Sequence, residues 1–181
     1  SKNGHIISKS PIFLKGVEKN PIIVRSNFEG NLQSIRLGNL NQNNQKLESG
    51  YGIVVINADG VSEIENTVFH RMSAPNQLSG LGLLGSINFY QSDVRIKNSK
   101  FSENIIGDDY LNIIRSNFVI KNCIFQDVNS DAIDIDFSKG IMSKLDFRDT
   151  GNDALDFSGS DVELKDIVVY GAGDKAISIG E

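Results

Sequence analysis

The residues of this chain best suited to chemistry are aspartates, and they recur at a fixed interval. Asp109, Asp131 and Asp153 follow one another every 22 residues, and Asp134 and Asp156 keep the same spacing. Asp136 adds a further carboxylate beside them. Paired carboxylates are the equipment of glycoside hydrolysis, where one protonates the leaving oxygen and the other acts as base or nucleophile. Asp134 and Asp156 are therefore the candidate catalytic pair. Clustered carboxylates also suit Ca²⁺, a hard cation with many oxygen ligands, and Asp109, Asp131 and Asp153 are candidates to hold it. No EF-hand loop or nonapeptide calcium repeat accompanies them. Two other uses fit the same three aspartates: accepting backbone N–H groups in the turns around them, or partial neutralisation by Lys175 and Arg115. The sequence leaves all three open.

A second group offers different chemistry. Tyr90 and Tyr110 stand near Asn88 and Asn112, while His70, Arg71 and Arg115 add a ring nitrogen and two guanidinium groups. Aromatic rings with amide and guanidinium donors suit sugars, which present apolar faces and hydroxyl edges. These residues are the candidate carbohydrate contacts. Plainer readings exist: the tyrosines cover turns, Arg71 is solvated, and His70 belongs to a surface loop.

The fixed interval says what must position these side chains. Asp109-Tyr110-Leu111-Asn112-Ile113, Asp131-Ala132-Ile133-Asp134-Ile135, Asp153-Ala154-Leu155-Asp156-Phe157 and Lys175-Ala176-Ile177-Ser178-Ile179 start 22 residues apart. Within each repeat the apolar residues alternate in three short runs, as in Leu111/Ile113, Phe118/Ile120 and Cys123/Phe125. Such alternation marks short strands buried on one face. Three strands per repeat, parted by Gly, Asn, Asp and Ser turns, predict an all-β, right-handed parallel β-helix of about 22 residues per coil. Stacked coils would place like residues in columns about 4.8 Å apart. One column runs Phe69, Phe101, Phe125, Phe147, Val169. Another runs Ser92, Ser116, Ser138, Ser160, whose small hydroxyls fit the task of bonding a tight corner. Leucine-rich repeats would need an Asn after the strand and a longer return, and left-handed helices a six-residue period; neither is visible.

Upstream the interval widens to 24 residues, with Ile87-Asn88-Phe89 matching Leu111-Asn112-Ile113. Ile12-Phe13-Leu14 and Pro21-Ile22-Ile23-Val24 read as an opening coil. Residues 29–50 and 70–86 read as inserted loops of a single domain spanning 1–181. The last coil has no evident cap and the chain begins at Ser1 without Met, so a longer parent protein is expected, with further coils or domains as partners.

Composition narrows the partners. The net charge of −5 comes without long basic runs, which argues against nucleic acid, whose binding rests on phosphate neutralisation. No stretch is apolar enough to span a membrane. The lone Cys123 falls in a core column and excludes an internal disulfide.

The segment from Gly85 to Glu181 resembles the β-helix repeats of the pectate-lyase-like superfamily. It resembles more narrowly the β-helix regions of bacterial surface proteins that accompany spore-coat-kinase-like domains. Leu111-Asn112-Ile113-Ile114-Arg115-Ser116, Gly151-Asn152-Asp153-Ala154-Leu155-Asp156 and Gly171-Ala172-Gly173-Asp174-Lys175 carry the resemblance. It implies an extracellular or cell-surface location and contact with carbohydrate along the first-strand face, with polysaccharide processing within the superfamily's range. The alternative is a non-catalytic rigid scaffold or interaction module of a larger surface protein. Polygalacturonase motifs are not met: Arg95-Ile96-Lys97 and Asp108-Asp109 occur in the wrong order and without Gly-His-Gly. Arg95 and Lys97 read instead as outward neighbours of core Ile96.

Overall fold

A computed structural model of the chain describes residues 4–26, 52–75 and 83–180. The described residues form strands and no helix, so none of them builds a helix long and apolar enough to cross a membrane. The strands fall into three series. The first comprises β1 (Ile6–Ser8), β4 (Ile53–Ile56), β7 (Ile87–Tyr90), β10 (Asp109–Ile114), β12 (Asp131–Asp136), β14 (Leu155–Ser158) and β16 (Ile177–Gly180). The second begins with β2 (Phe13–Lys15), β5 (Ser62–Glu65) and β8 (Val94–Lys97), and the third with β3 (Ile22–Arg25), β6 (Thr67–His70) and β9 (Lys100–Ser102). Farther on, the second and third series fuse into 12-residue strands β11 (Asn117–Val128), β13 (Lys139–Thr150) and β15 (Asp161–Ala172).

Pairing is parallel throughout these strands and follows the repeat. Leu111 lies opposite Ile133, which lies opposite Leu155 and then Ile177, each step 22 residues. Ile87 lies opposite Leu111 across the 24-residue step. The first series forms one seven-stranded sheet, and the other two share a second sheet. An isolated antiparallel bridge joins Val17 and Asn20. All-β architecture and parallel sheets thus agree with the repeat. The expected separation of the second and third strands fails downstream, where the chain bends without leaving the ladder.

That bend explains how so much of the chain stays hydrogen-bonded. The corners are single residues with left-handed backbone, and they too form columns. One runs Asn57, Gln91, Arg115, Phe137; a second Asn66, Asn98, Asn122, Lys144, Asp166; a third Arg71, Glu103, Asp127, Asp149, all with φ between 46° and 55°. That conformation costs roughly 1–2 kcal/mol outside glycine, least for Asn and Asp. The cost is offset because the corner amide keeps its partner: Gln91 N–H donates to Ile114 O at 2.9 Å and Arg115 N–H to Asp136 O at 2.9 Å. Phe137 is the unlikeliest occupant of such a corner. Its ring lies over Gly159 of the next rung, where a Cβ would come within 2.8 Å of it, and the Arg115 guanidinium sits 5.8 Å from its centroid.

The interior is a set of like-residue columns. Phe69, Phe101, Phe125 and Phe147 stack with centroids 5.0, 4.4 and 5.2 Å apart, and all four are fully buried. Val24 precedes Phe69 in register, so the column opens one rung earlier than the phenylalanines suggest. Cys123 is buried in the neighbouring column, and burial pushes its thiol up to about 12.

The serine column bonds as expected. Ser92 N–H donates to Ser116 Oγ at 2.8 Å, Ser116 N–H to Ser138 Oγ at 3.0 Å, and Ser138 N–H to Ser160 Oγ at 3.0 Å. Each hydroxyl in turn donates to the carbonyl two residues before it, as Ser116 does to Ile114 O at 2.9 Å. One small side chain thus serves two rungs.

His70 is a correction to the expected 70–86 loop. It ends β6, in register with Arg25 and Ser102, because Phe69 before it is a core residue and fixes the strand. Residues 76–82 and the expected loop over 29–50 lie outside the described residues.

Substituting Ser116→Ala leaves the Ser92 amide and the Ile114 carbonyl without that partner in a buried place. A loss of roughly 1–3 kcal/mol in unfolding free energy is expected, measured by urea denaturation. An unchanged midpoint would remove the serine column from the supports of the fold.

Candidate functional site: the carboxyl face of the first strands

The outward residues of the first series lie in register, as the repeat demands. Asn88, Asn112, Asp134, Asp156 and Ser178 form one column, and Tyr90, Ile114, Asp136 and Ser158 the next. Asp109 lies opposite Asp131. Outward does not mean open, however, and the column divides in two.

Its upper part is covered. Gly85 and Ser86 precede β7 and are themselves buried, and Gly85 lies against both asparagines: a Cβ there would fall 2.8 Å from Asn112 Cβ and 3.0 Å from Asn88 Oδ1. Asn88 turns both ends of its amide back, accepting from Gly85 N–H at 3.1 Å and donating to Gly85 O at 2.6 Å. It is fully buried, and Asn112 is 5% exposed. Tyr110 points the opposite way, into the core, its ring edge-on to Phe101 and Phe125. Its hydroxyl donates to Ser102 O at 3.1 Å, and burial raises its pKa. Asn88, Asn112 and Tyr110 therefore hold the fold together and offer no sugar platform. The alternation Tyr110-Leu111-Asn112 hid this, because Tyr110 precedes the strictly alternating part of the strand.

The remaining expected contacts are dispersed. Tyr90 is partly exposed at the end of β7. Arg71 is a corner residue paired with Glu103 at 2.9 Å, and His70 approaches Ser102 Oγ at 3.1 Å on the third series. Arg115 stands at the corner over Phe137. The structure does not bring these residues together around one ligand.

The expected metal set resolves into a backbone ladder. Asp131 Oδ1 accepts the Asp153 N–H at 2.8 Å and the Asn152 side-chain amide at 2.7 Å. Asp153 Oδ1 accepts the Lys175 N–H at 2.7 Å, and Lys175 Nζ stands 3.7 Å from the other oxygen. Asp109 bonds instead to Asn112. Among the described residues no group of three or more His, Cys, Asp or Glu side chains gathers as a metal site. The donors present do not fit a calcium cage, because Asp131 and Asp153 each direct an oxygen to an amide of the next rung and Asp109 directs one to the Asn112 side chain of its own strand.

The lower part of the face carries the unusual electrostatics. Asn112 Nδ2 donates both to Asp109 Oδ2 at 3.0 Å and to Asp134 Oδ2 at 2.8 Å. Its own Oδ1 is buried without a partner among the described residues. One amide thus bridges two carboxyls. Burial, only partly offset by that amide, pushes Asp109 up to about 7. Burial, with Asp109, Asp136, Asp156 and Asp131 adding repulsion, pushes Asp134 up to about 8. Asp131 and Asp136 are raised too, again chiefly by burial. Asp134, Asp136 and Asp156 are each half-buried and so reach solvent. A carboxyl that keeps its proton near neutrality, beside a register neighbour one strand away, can give and take a proton. Aspartate spacing found this pair; nothing in the sequence signalled the asparagine bridge that links it to Asp109.

The structure also holds a groove that aspartate and tyrosine spacing did not reveal. It encloses about 600 Å³ on the outer side of the second corner, lined by Asn66, Asn98 and Asn122 with Val68, Lys100 and Ile124.

Folding lifts Asp109 and Asp134 above the ordinary carboxylate value, so from about pH 4 to about pH 8 the native state holds protons that the unfolded chain releases. Stability therefore falls as pH climbs through that window. The melting temperature is expected to be higher at about pH 5 than at about pH 8, with Asp134→Asn flattening the difference; a rise with pH would refute the assignment. Millimolar Ca²⁺ and a chelator are each expected to leave the melting temperature unchanged, and a Ca²⁺-dependent increase would show that the carboxylates do gather on the ion.

Set against family models, curated proteins and solved structures, the chain matches none.

Proposed function

We propose that this chain is a right-handed parallel β-helix that works as a rigid interaction module of a larger extracellular or surface protein. We place its carbohydrate contact on the open part of the first-strand face. The repeat register, the three corner columns and the stacked interior support the β-helix. The observation that carries the contact is the carboxyl set Asp134, Asp136 and Asp156, which begins where the covering at Gly85 ends. Adjacent strands space Asp134 and Asp156 by about 4.8 Å, and Asp136 stands two residues along the same strand from Asp134. Asp134, whose carboxyl burial pushes up to about 8, supplies a donor and the carboxyl oxygens beside it supply acceptors, so a row of vicinal hydroxyls is met by both kinds of partner.

The same pair carries the processing version of this reading. Asp134 is the proton donor and Asp156, its register neighbour, the second carboxyl. A purely structural reading rests on a different observation: Asn88, Asp131 and Asp153 bond to backbone groups, and Asn112 bonds to Asp109 and Asp134. Columns of that kind serve folding alone.

A glycan array probed with the full chain tests both. Binding is expected, and Asp134→Asn or Asp156→Asn should weaken it roughly tenfold or more, about 1.4 kcal/mol. Release of new reducing ends from a bound glycan, lost in either variant, would establish turnover. A chain that binds no glycan, with its fold verified by circular dichroism, is a scaffold.

A further inference from the structure

The groove at the second corner crosses three rungs, and its lining repeats with them. Asn66, Asn98 and Asn122 stand at the bend, and Val68, Lys100 and Ile124 follow two residues later in register with one another. The amides are partly linked. Asn122 Nδ2 donates to Asn98 Oδ1 at 2.8 Å, and Asn66 Nδ2 to Gly16 O at 3.1 Å. That pattern leaves Asn98 Nδ2 as a donor, and Asn122 Oδ1 and Asn66 Oδ1 as acceptors, with no partner among the described residues. Asn98 and Asn122 are exposed, as is Ile124, and Val68 is half-buried. Val68 and Ile124, with the stem of Lys100 between them, therefore lie beside a row of amide donors and acceptors.

Three features select the occupant. The backbone here is already paired: β9 lies between β6 and β11, and the Asn66 and Asn98 amides donate to Lys97 O and Lys121 O. A peptide that binds by adding a strand needs a free strand edge for its main chain, and this groove offers none. The charges balance, since Glu18 faces the same groove as Lys100. Lys100 Nζ is moreover bonded to Gln126 Oε1 at 3.0 Å, so no uncommitted cation waits for an acidic polymer. What remains is recognition of hydroxyls by amides and of a ring face by Val68 and Ile124.

We propose that the second-corner groove binds a neutral oligosaccharide lying along the stacking direction, across the Asn66, Asn98 and Asn122 rungs. This site lies on a different sheet from Asp134 and Asp156 and does not depend on the first-strand reading.

The test is an NMR titration of the ¹⁵N-labelled full chain, which reports the side-chain amide of each asparagine. The probes are cellohexaose, xylohexaose and mannohexaose, with hexagalacturonate as the charged comparison. At least one neutral hexasaccharide is expected to shift the Asn98 and Asn122 amides saturably. The double substitution Asn98→Gly with Asn122→Gly keeps the left-handed corners available while deleting the amides, and should weaken binding at least tenfold. Ile124→Ala, which leaves both corners intact, should weaken it less. Asp134→Asn should leave this binding unchanged, so failure at one face is distinguishable from failure at the other. The proposal falls if no neutral probe shifts these amides at millimolar concentration. It falls equally if the glycine variant binds as well as the parent, or if hexagalacturonate binds more tightly than every neutral probe.

Discussion

Register is the constraint on which this molecule depends. Parallel strands bond through slanted, evenly spaced amides, and in this chain each turn must return every residue opposite its counterpart. A slip of one residue would turn Leu111, Ile133 and Leu155 outward and push their polar neighbours into the core. The corners enforce the count. A single left-handed residue bends the chain within the ladder, and its strain is tolerated because no backbone bond is given up in making it. Serine then locks the first corner, and the phenylalanine stack fills the space beneath the third strand.

The same register creates the unusual acidity of the first-strand face. Any residue type repeated at the interval becomes its own neighbour, and aspartate repeated this way meets aspartate. The molecule handles the repulsion in two ways. Where a backbone amide of the next rung is within reach, as for Asp131 and Asp153, the carboxylate accepts it. At Asp109 and Asp134 a single asparagine bridges the pair, and the balance favours retained protons. The two outcomes sit a few residues apart on the same strands.

Much of the architecture was legible because register leaves a periodic trace. The 22-residue interval, the phenylalanine and serine columns and the outward placement of Arg95 and Lys97 all follow from alternation and counting. What counting does not register is a contact without a period. The packing of Gly85 on Asn88 and Asn112 involves residues outside the repeat, so the covered half of the face looked open. Tyr110 looked amphipathic and proved to be core, since only its distance to Phe101 and Phe125 decides that. The left-handed corners were invisible for another reason. Arg115, Phe137 and Lys144 occupy them against their own conformational preference, so composition argues the wrong way there.

The pairing of β11 with β13 and of β13 with β15 has a consequence for how such a chain can change length. Because both pairs keep one offset from the first residue of each strand to the last, any block of that offset carries a complete set of interfaces, one above and one below. Copying or excising one block within this region joins surfaces that already fit, while an indel of any other size has to be absorbed at a corner, as the 24-residue step from Ile87 to Leu111 is. The length of this part of the molecule is therefore quantised, and its genealogy should be written in whole repeats.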